Sequence, residues 1–206
     1  MKKLGIFLLL TGFMIIVWNG YSLWQQTQAV TTNPVEIQER FENWDRTAYQ
    51  QQLEIPIANK NVEEKPPSPA YSAGENVGTL NIPRIGTQYE VYWGTDEDTL
   101  TQGVGMYDSQ WTVTPDNVGH VVLAGHRDTV FRQLGDLKEG DHLYVNYGEK
   151  TYDYQIRKIW ITDAEDRTVI VSKSKPTLTL STCYPFDFIG SAPDRYIVQA
   201  ELVSVD

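Results

Sequence analysis

The chain contains a single cysteine, Cys183, in the stretch TLSTCYPF at residues 179–186. A thiol becomes a nucleophile and acyl carrier when ionised, and a free thiol near pKa ~8.5 needs a neighbouring cation or base to reach that state. In PTLTLSTC, strand alternation places Leu178, Leu180 and Thr182 on one face and Thr177, Thr179, Ser181 and Cys183 on the other. The cysteine is thus expected on the polar face, whereas inert buried thiols usually pack as small hydrophobes among aliphatic neighbours. A reactive group and core filling both stand at this point. A lone cysteine cannot pair within the chain, which adds a crosslink to another chain as a third use.

Two further residue types bear on whether the thiol is reactive. Arg195 begins the strand pattern RYIVQAEL, and if that strand pairs antiparallel with the cysteine strand across YPFDFIGSAPD, Cys183 and Arg195 meet at one rim. For proton transfer the chain offers His120, His126 and His142. In GHVVLAGHRD the aliphatic run Val121 to Ala124 leads through Gly125 to His126, which falls at a strand end, where side chains face a site. His120 lies six residues earlier, roughly 20 Å away at ~3.3 Å per residue, so the two cannot serve one thiol. His126 is preferred to His120, and His142, in an alternating strand after Asp141, is expected to be a solvated surface residue.

The elements that must position these groups are short β-type runs from about Val77 onward: VGTLNIP, TQYEVYW, HVVLAGH, DHLYVNY, KTYDYQIRKIWI, PTLTLSTC and RYIVQAELVSV. Tyr147-Gly148-Glu149-Lys150 is expected to turn a hairpin. The fold class is all-β, a closed or nearly closed barrel of seven or eight strands. Short helices are expected within residues 98–105 and 129–137.

The N-terminus reads as a membrane signal. Lys2 and Lys3 precede an apolar run that, extended through Trp24, reaches about 20 residues, enough to cross a ~30 Å hydrocarbon core. No small-residue cleavage site appears before Ala29, which favours a retained anchor over a cleaved signal peptide. The lysines then hold the N-terminus inside and leave the rest of the chain extracellular. Three segments follow: 1–24 as cytoplasmic tip and anchor, 25–76 as an extracellular stalk, and 77–206 as the β domain. The stalk ends in a proline-rich spacer with Pro66, Pro67 and Pro69, and within it VEIQERFENWDRTAYQQQL is read as a juxtamembrane helix starting near Asn33 and Pro34. The net charge of −10 argues against nucleic acid as a partner, since phosphate binding needs clustered Lys and Arg.

LAGHRD, TLSTC and PDRYIV together resemble the signature segments of sortases, the membrane-anchored cysteine transpeptidases of Gram-positive bacteria. CYPFDFIGSAPDR, with its long loop, looks most like class D. The resemblance implies Cys183 as nucleophile, His126 as general acid and base, and Arg195 as the cation that positions substrate and steadies the oxyanion. It also implies the reaction: an LPxTG-like sorting signal is cut after its Thr, a thioester forms on Cys183, and a peptidoglycan amine resolves it. Thr182 is expected to shape the strand end without a chemical role. Asp128 is read either as orienting His126 or as capping the short helix after it. Asp163, Glu165 and Asp166 lie in the loop where one sortase class binds calcium, although a solvated acidic loop is the preferred reading, and no cofactor or metal is expected. The alternative from another class is an anchored β-barrel binding module with an inert cysteine; an L,D-transpeptidase ranks low because the SHGC-type segment expected of that family is missing.

Overall fold

The computed structural model describes residues 2–28, 30–41, 43–53, 70–187, 190 and 192–206. The spacer prolines Pro66, Pro67 and Pro69 lie outside the described residues, as do Phe188 and Ile189 of the loop after the cysteine.

Helix α1 (Lys2–Gln28) carries the apolar run, and its window Leu4–Tyr21 is long and apolar enough to cross a membrane, with no residue of it buried. Strand β1 (Val30–Thr32) follows, then helix α2 (Pro34–Arg40). The barrel strands are β2 (Asn76–Ile82), β3 (Thr87–Trp93), β4 (Val104–Met106), β5 (His120–Ala124), β6 (His142–Tyr147), β7 (Lys150–Asp163), β8 (Thr177–Tyr184) and β9 (Asp194–Val205). They neighbour one another in the order β3-β2-β6-β7-β9-β8-β5-β4, and β4 pairs in parallel with β3 to close the ring. Closure leaves no open edge among the eight strands, as the alternating sequence runs required. The expected hairpin is present, with Tyr147 paired to Lys150 and Gly148 at φ 60°.

Alternation decides the core. In β3, Thr87, Tyr89, Val91 and Trp93 point inward and are buried. Leu80, Ile82, Leu123, Leu143, Tyr154, Leu178, Leu180, Val198 and Leu202 join them, and Phe131, from the loop after β5, meets Tyr89 edge-on at 5.6 Å between ring centroids. The expected short helices are small: α3 (Glu97–Leu100), capped by Asp96 through Thr99 N at 3.1 Å, and a 3-10 turn at Leu134–Asp136.

Within the segment read as a stalk, residues 30–41 and 43–53 run along the barrel. β1 adds antiparallel to β3, and Ile37 of α2 is buried. Gly86, at φ 60°, is held so close to Pro34 that a Cβ there would lie 2.5 Å from the proline ring, and only glycine fits. The helix also ends at Arg40, well short of the expected span. Its loosely periodic aromatics go to separate barrel sites rather than to one helix face: Phe41 stacks on Tyr144 at 3.9 Å, Trp44 lies 5.2 Å from the Arg84 guanidinium, and Tyr49 5.1 Å from that of Arg157. The Gln155 amide donates to the carbonyls of Arg46 and Ala48, which fixes the chain in a non-helical path.

Candidate active site

β5 runs parallel to β8 with Ala124 opposite Ser181, and β8 runs antiparallel to β9 with Cys183 opposite Arg195. The pairing of β5 with β8 continues past its end: Gly125 N donates to Ser181 O at 3.3 Å, and the Thr182 hydroxyl donates to Gly125 O at 2.7 Å. His126, one residue further, is thereby carried to the rim that holds Cys183 and Arg195. A Cβ at Gly125 would sit 2.9 Å from the Phe131 ring, so this close turn requires glycine before the histidine. Thr182 shapes the strand end, as the sequence suggested.

These residues line one cleft of about 220 Å³, made by His126, Arg127, Asp128, Cys183, Gly190, Ala192 and Arg195. Cys183 is half-buried, and its thiol has no hydrogen-bond partner among the described residues. The His126 imidazole is 32% exposed, with Nε2 3.7 Å from the Glu97 carboxylate of α3. Arg195 donates to the carbonyls of Ala192 and Asp194 at 3.4 and 3.1 Å. Among the described residues no carboxylate pairs with it. Thiol, imidazole and guanidinium sharing one water-accessible cleft can support acyl transfer.

The other histidines are placed elsewhere. His120 is fully buried on the face that carries Cys183, against Val171 of the loop after β7. Its Nδ1 lies 2.8 Å from Val171 O and its Nε2 2.7 Å from Thr179 Oγ1; a carbonyl only accepts, so Nδ1 carries the proton and the Thr179 hydroxyl donates to Nε2. Burial, the largest influence, lowers the His120 pKa to about 4. The polar face of β8 is therefore sealed at its start and open only at its end, with Thr177 and Thr179 buried. His142 corrects the expectation of a solvated residue: it is buried, with Nδ1 2.7 Å from Asp153 Oδ1 and Nε2 3.3 Å from Arg46 O. The segment folded over that side of the barrel covers it.

Asp128 does not orient His126. Its carboxylate is 72% exposed and meets Arg127 Nε at 3.3 Å. In the acidic loop, Asp163 accepts from Glu165 N, while Asp166 accepts from Thr162 Oγ1 and from Thr168. These bonds hold the Asp166 carboxyl below its ordinary range, led by that from Thr162. Among the described residues no three acidic, histidine or cysteine side chains gather to hold a metal.

Arg127 is the residue that sequence reasoning passed over. Its side chain is 5% exposed, and it donates to Pro185 O at 3.0 Å and Gly190 O at 2.7 Å, both in the loop between β8 and β9. The only signal was its place directly after His126. Phe186 anchors the same loop from the other side, lying over Gly135 and packing on Tyr184 and Tyr196 at 5.7 and 5.1 Å between centroids.

Comparison with known proteins agrees with this geometry. Residues 80–203 match the family model of the sortase domain. The chain is 44% identical over 134 residues to sortase D of Bacillus subtilis, a match covering 64% of this chain and 66% of that protein. The solved catalytic domain of B. anthracis SrtD is similar with a TM-score of 0.59 and 52% identity, over 71% of this chain and 98% of that one. A Clostridium perfringens sortase D5 transpeptidase is similar with a TM-score of 0.57 and 28% identity, over 65% of this chain and 82% of its own. The chain spans about two thirds or less of the length of the curated relatives it matches. A barrel closed in this order, a matched domain that includes all three rim residues, and similarity to class D relatives converge on one conclusion: the chain belongs to the sortase family.

Proposed function

We propose that this protein is a membrane-anchored cysteine transpeptidase that cuts an LPxTG-like sorting signal after its Thr and joins the released protein to a peptidoglycan amine. The observation that carries the reading is the meeting of Cys183, His126 and Arg195 at the ends of three adjacent strands around one cleft. With the proton held on His126, the Cys183 thiolate attacks the Thr carbonyl, and Arg195 stabilises the oxyanion that forms. The carbon–nitrogen bond then breaks as His126 gives its proton to the departing amine, leaving a thioester. An incoming amine loses a proton to His126 and attacks the thioester, and the carbon–sulfur bond breaks to release the Cys183 thiolate with the proton back on His126.

In this reading residues 1–24 are the cytoplasmic tip and anchor, 25–76 the connecting segment and 77–206 the catalytic barrel, with the N-terminus inside and the barrel outside. The substrates are surface proteins with C-terminal sorting signals. The helix window Leu4–Tyr21 supports the anchor, and the sortase family supports the chemistry. Replacement of Cys183 by Ala in the full chain tests the assignment: cleavage and transfer of LPxTG-type peptides are lost. Persistent cleavage by that variant would end the assignment, whereas a wild-type chain that binds without cleaving and whose Cys183 reacts only slowly with thiol reagents would be a binding module with an inert cysteine.

A further inference from the structure

We propose that Arg127 is a positioning residue for this reaction: its buried guanidinium ties the β8–β9 loop to the strand end carrying His126 and so sets the spacing of His126, Cys183 and Arg195. The inference rests on the transpeptidase reading above. Arg127 is covalently next to His126. The carbonyls it holds belong to Pro185, two residues after Cys183, and to Gly190, five before Arg195. One side chain thus cross-links the strand end of the proton donor to both limbs of the loop that joins the nucleophile to the oxyanion cation.

The choice of arginine is informative. A nearly buried cation is costly unless its donors are satisfied, and apolar packing would fill the same space at lower cost. The fork of a guanidinium can reach two separate carbonyls at once from a fixed plane, which a lysine ammonium on a flexible stem does not reproduce. Phe186 already pins the loop to the core through Gly135 and Tyr196, so Arg127 is not needed merely to keep the loop on the barrel. What it adds is a tie on the cleft side. Misplacement of reacting groups by ~1 Å can cost about 100-fold in rate, so a tie of this kind acts on turnover.

The test uses the full chain in detergent micelles with Arg127→Lys and Arg127→Gln. Amide exchange, cleavage of an LPxTG-type peptide with hydroxylamine as acceptor, and thermal unfolding are read for each. The expected result is exchange at the amides of Phe186, Asp187, Gly190 and Ala192 faster by about tenfold or more while β8 and β9 keep their protection. Cleavage falls about 30- to 100-fold in kcat with KM within about threefold, and Lys does not rescue. Wild-type turnover in Arg127→Lys, or unchanged loop exchange in both variants, overturns the proposal. If neither variant folds, the Arg127 Nη–H resonances of the wild-type chain, the donors to Pro185 O and Gly190 O, decide: slow exchange with water supports the tie, and solvent-averaged signals refute it. A wild-type chain that cleaves no sorting peptide would fail the transpeptidase reading instead, while loop exchange still decides whether the tie exists.

Discussion

β5 carries a histidine at its start and leads to another just past its end, and the two have opposite surroundings. His120 is fully buried, both ring nitrogens are satisfied, and it lies beneath the loop that follows β7. His126 is partly exposed in a cleft with a thiol and a guanidinium, and its ion-pair partner among the described residues is the exposed Glu97 carboxylate at 3.7 Å. An imidazole whose donor and acceptor are both occupied by the fold has nothing left to exchange with a substrate. Residue type and strand are the same, and what separates structure from chemistry is which end of the sheet the covering loop leaves open.

That contrast can be broken most forcefully at the open end. His126→Ala should lower peptide cleavage by about 100- to 10,000-fold, the range for loss of a general acid–base, while leaving the unfolding temperature nearly unchanged. A His120→Asn variant should do the reverse, keeping cleavage at neutral pH within about tenfold of wild type but losing about 1–3 kcal/mol of stability from unsatisfied Thr179 and Val171 groups. Equal activity losses in the two variants would erase the distinction.

Acid sharpens the same comparison. With its folded pKa lowered to about 4 from 6.5, His120 takes up a proton more readily in the unfolded chain than in the folded one. The unfolded state therefore binds more protons between these values, and stability falls as pH drops through that window. The contribution lost is on the order of 3 kcal/mol by pH 4, read as a falling unfolding temperature that should be much flatter in His120→Asn. The smallest effect is expected at Glu97: an exposed ion pair contributes little, so Glu97→Gln should change cleavage by less than about threefold. A larger loss would make that carboxylate a working partner of His126.

Much of this was legible in the residues because local rules governed it. Period-two alternation gave the strands and the closed barrel, and antiparallel pairing of the last two strands, consecutive in the chain, was enough to expect the Cys183 and Arg195 pairing. Arrival of His126 at the same rim depended on the parallel pairing of β5 with β8, whose partners lie more than fifty residues apart, as Ala124 and Ser181 show. No local pattern encodes that register. The burial of His142 was hidden for a related reason: its cover comes from residues 41–50, whose aromatics look like a weak helix until each is seen to have its own seat on the barrel. Arg127 carried no readable role because its partners are backbone carbonyls, which have no signature in side-chain chemistry.

The central claim is that Cys183 carries the acyl group in a cleft it shares with His126 and Arg195. Intact-mass spectrometry of the full chain, incubated with a small panel of sorting peptides and no acceptor amine, tests it directly. The account predicts an adduct of the mass of the peptide cut after Thr, located at Cys183, discharged by hydroxylamine and missing in Cys183→Ala. Cleaved peptide without such an adduct, or an adduct on another residue, would contradict it.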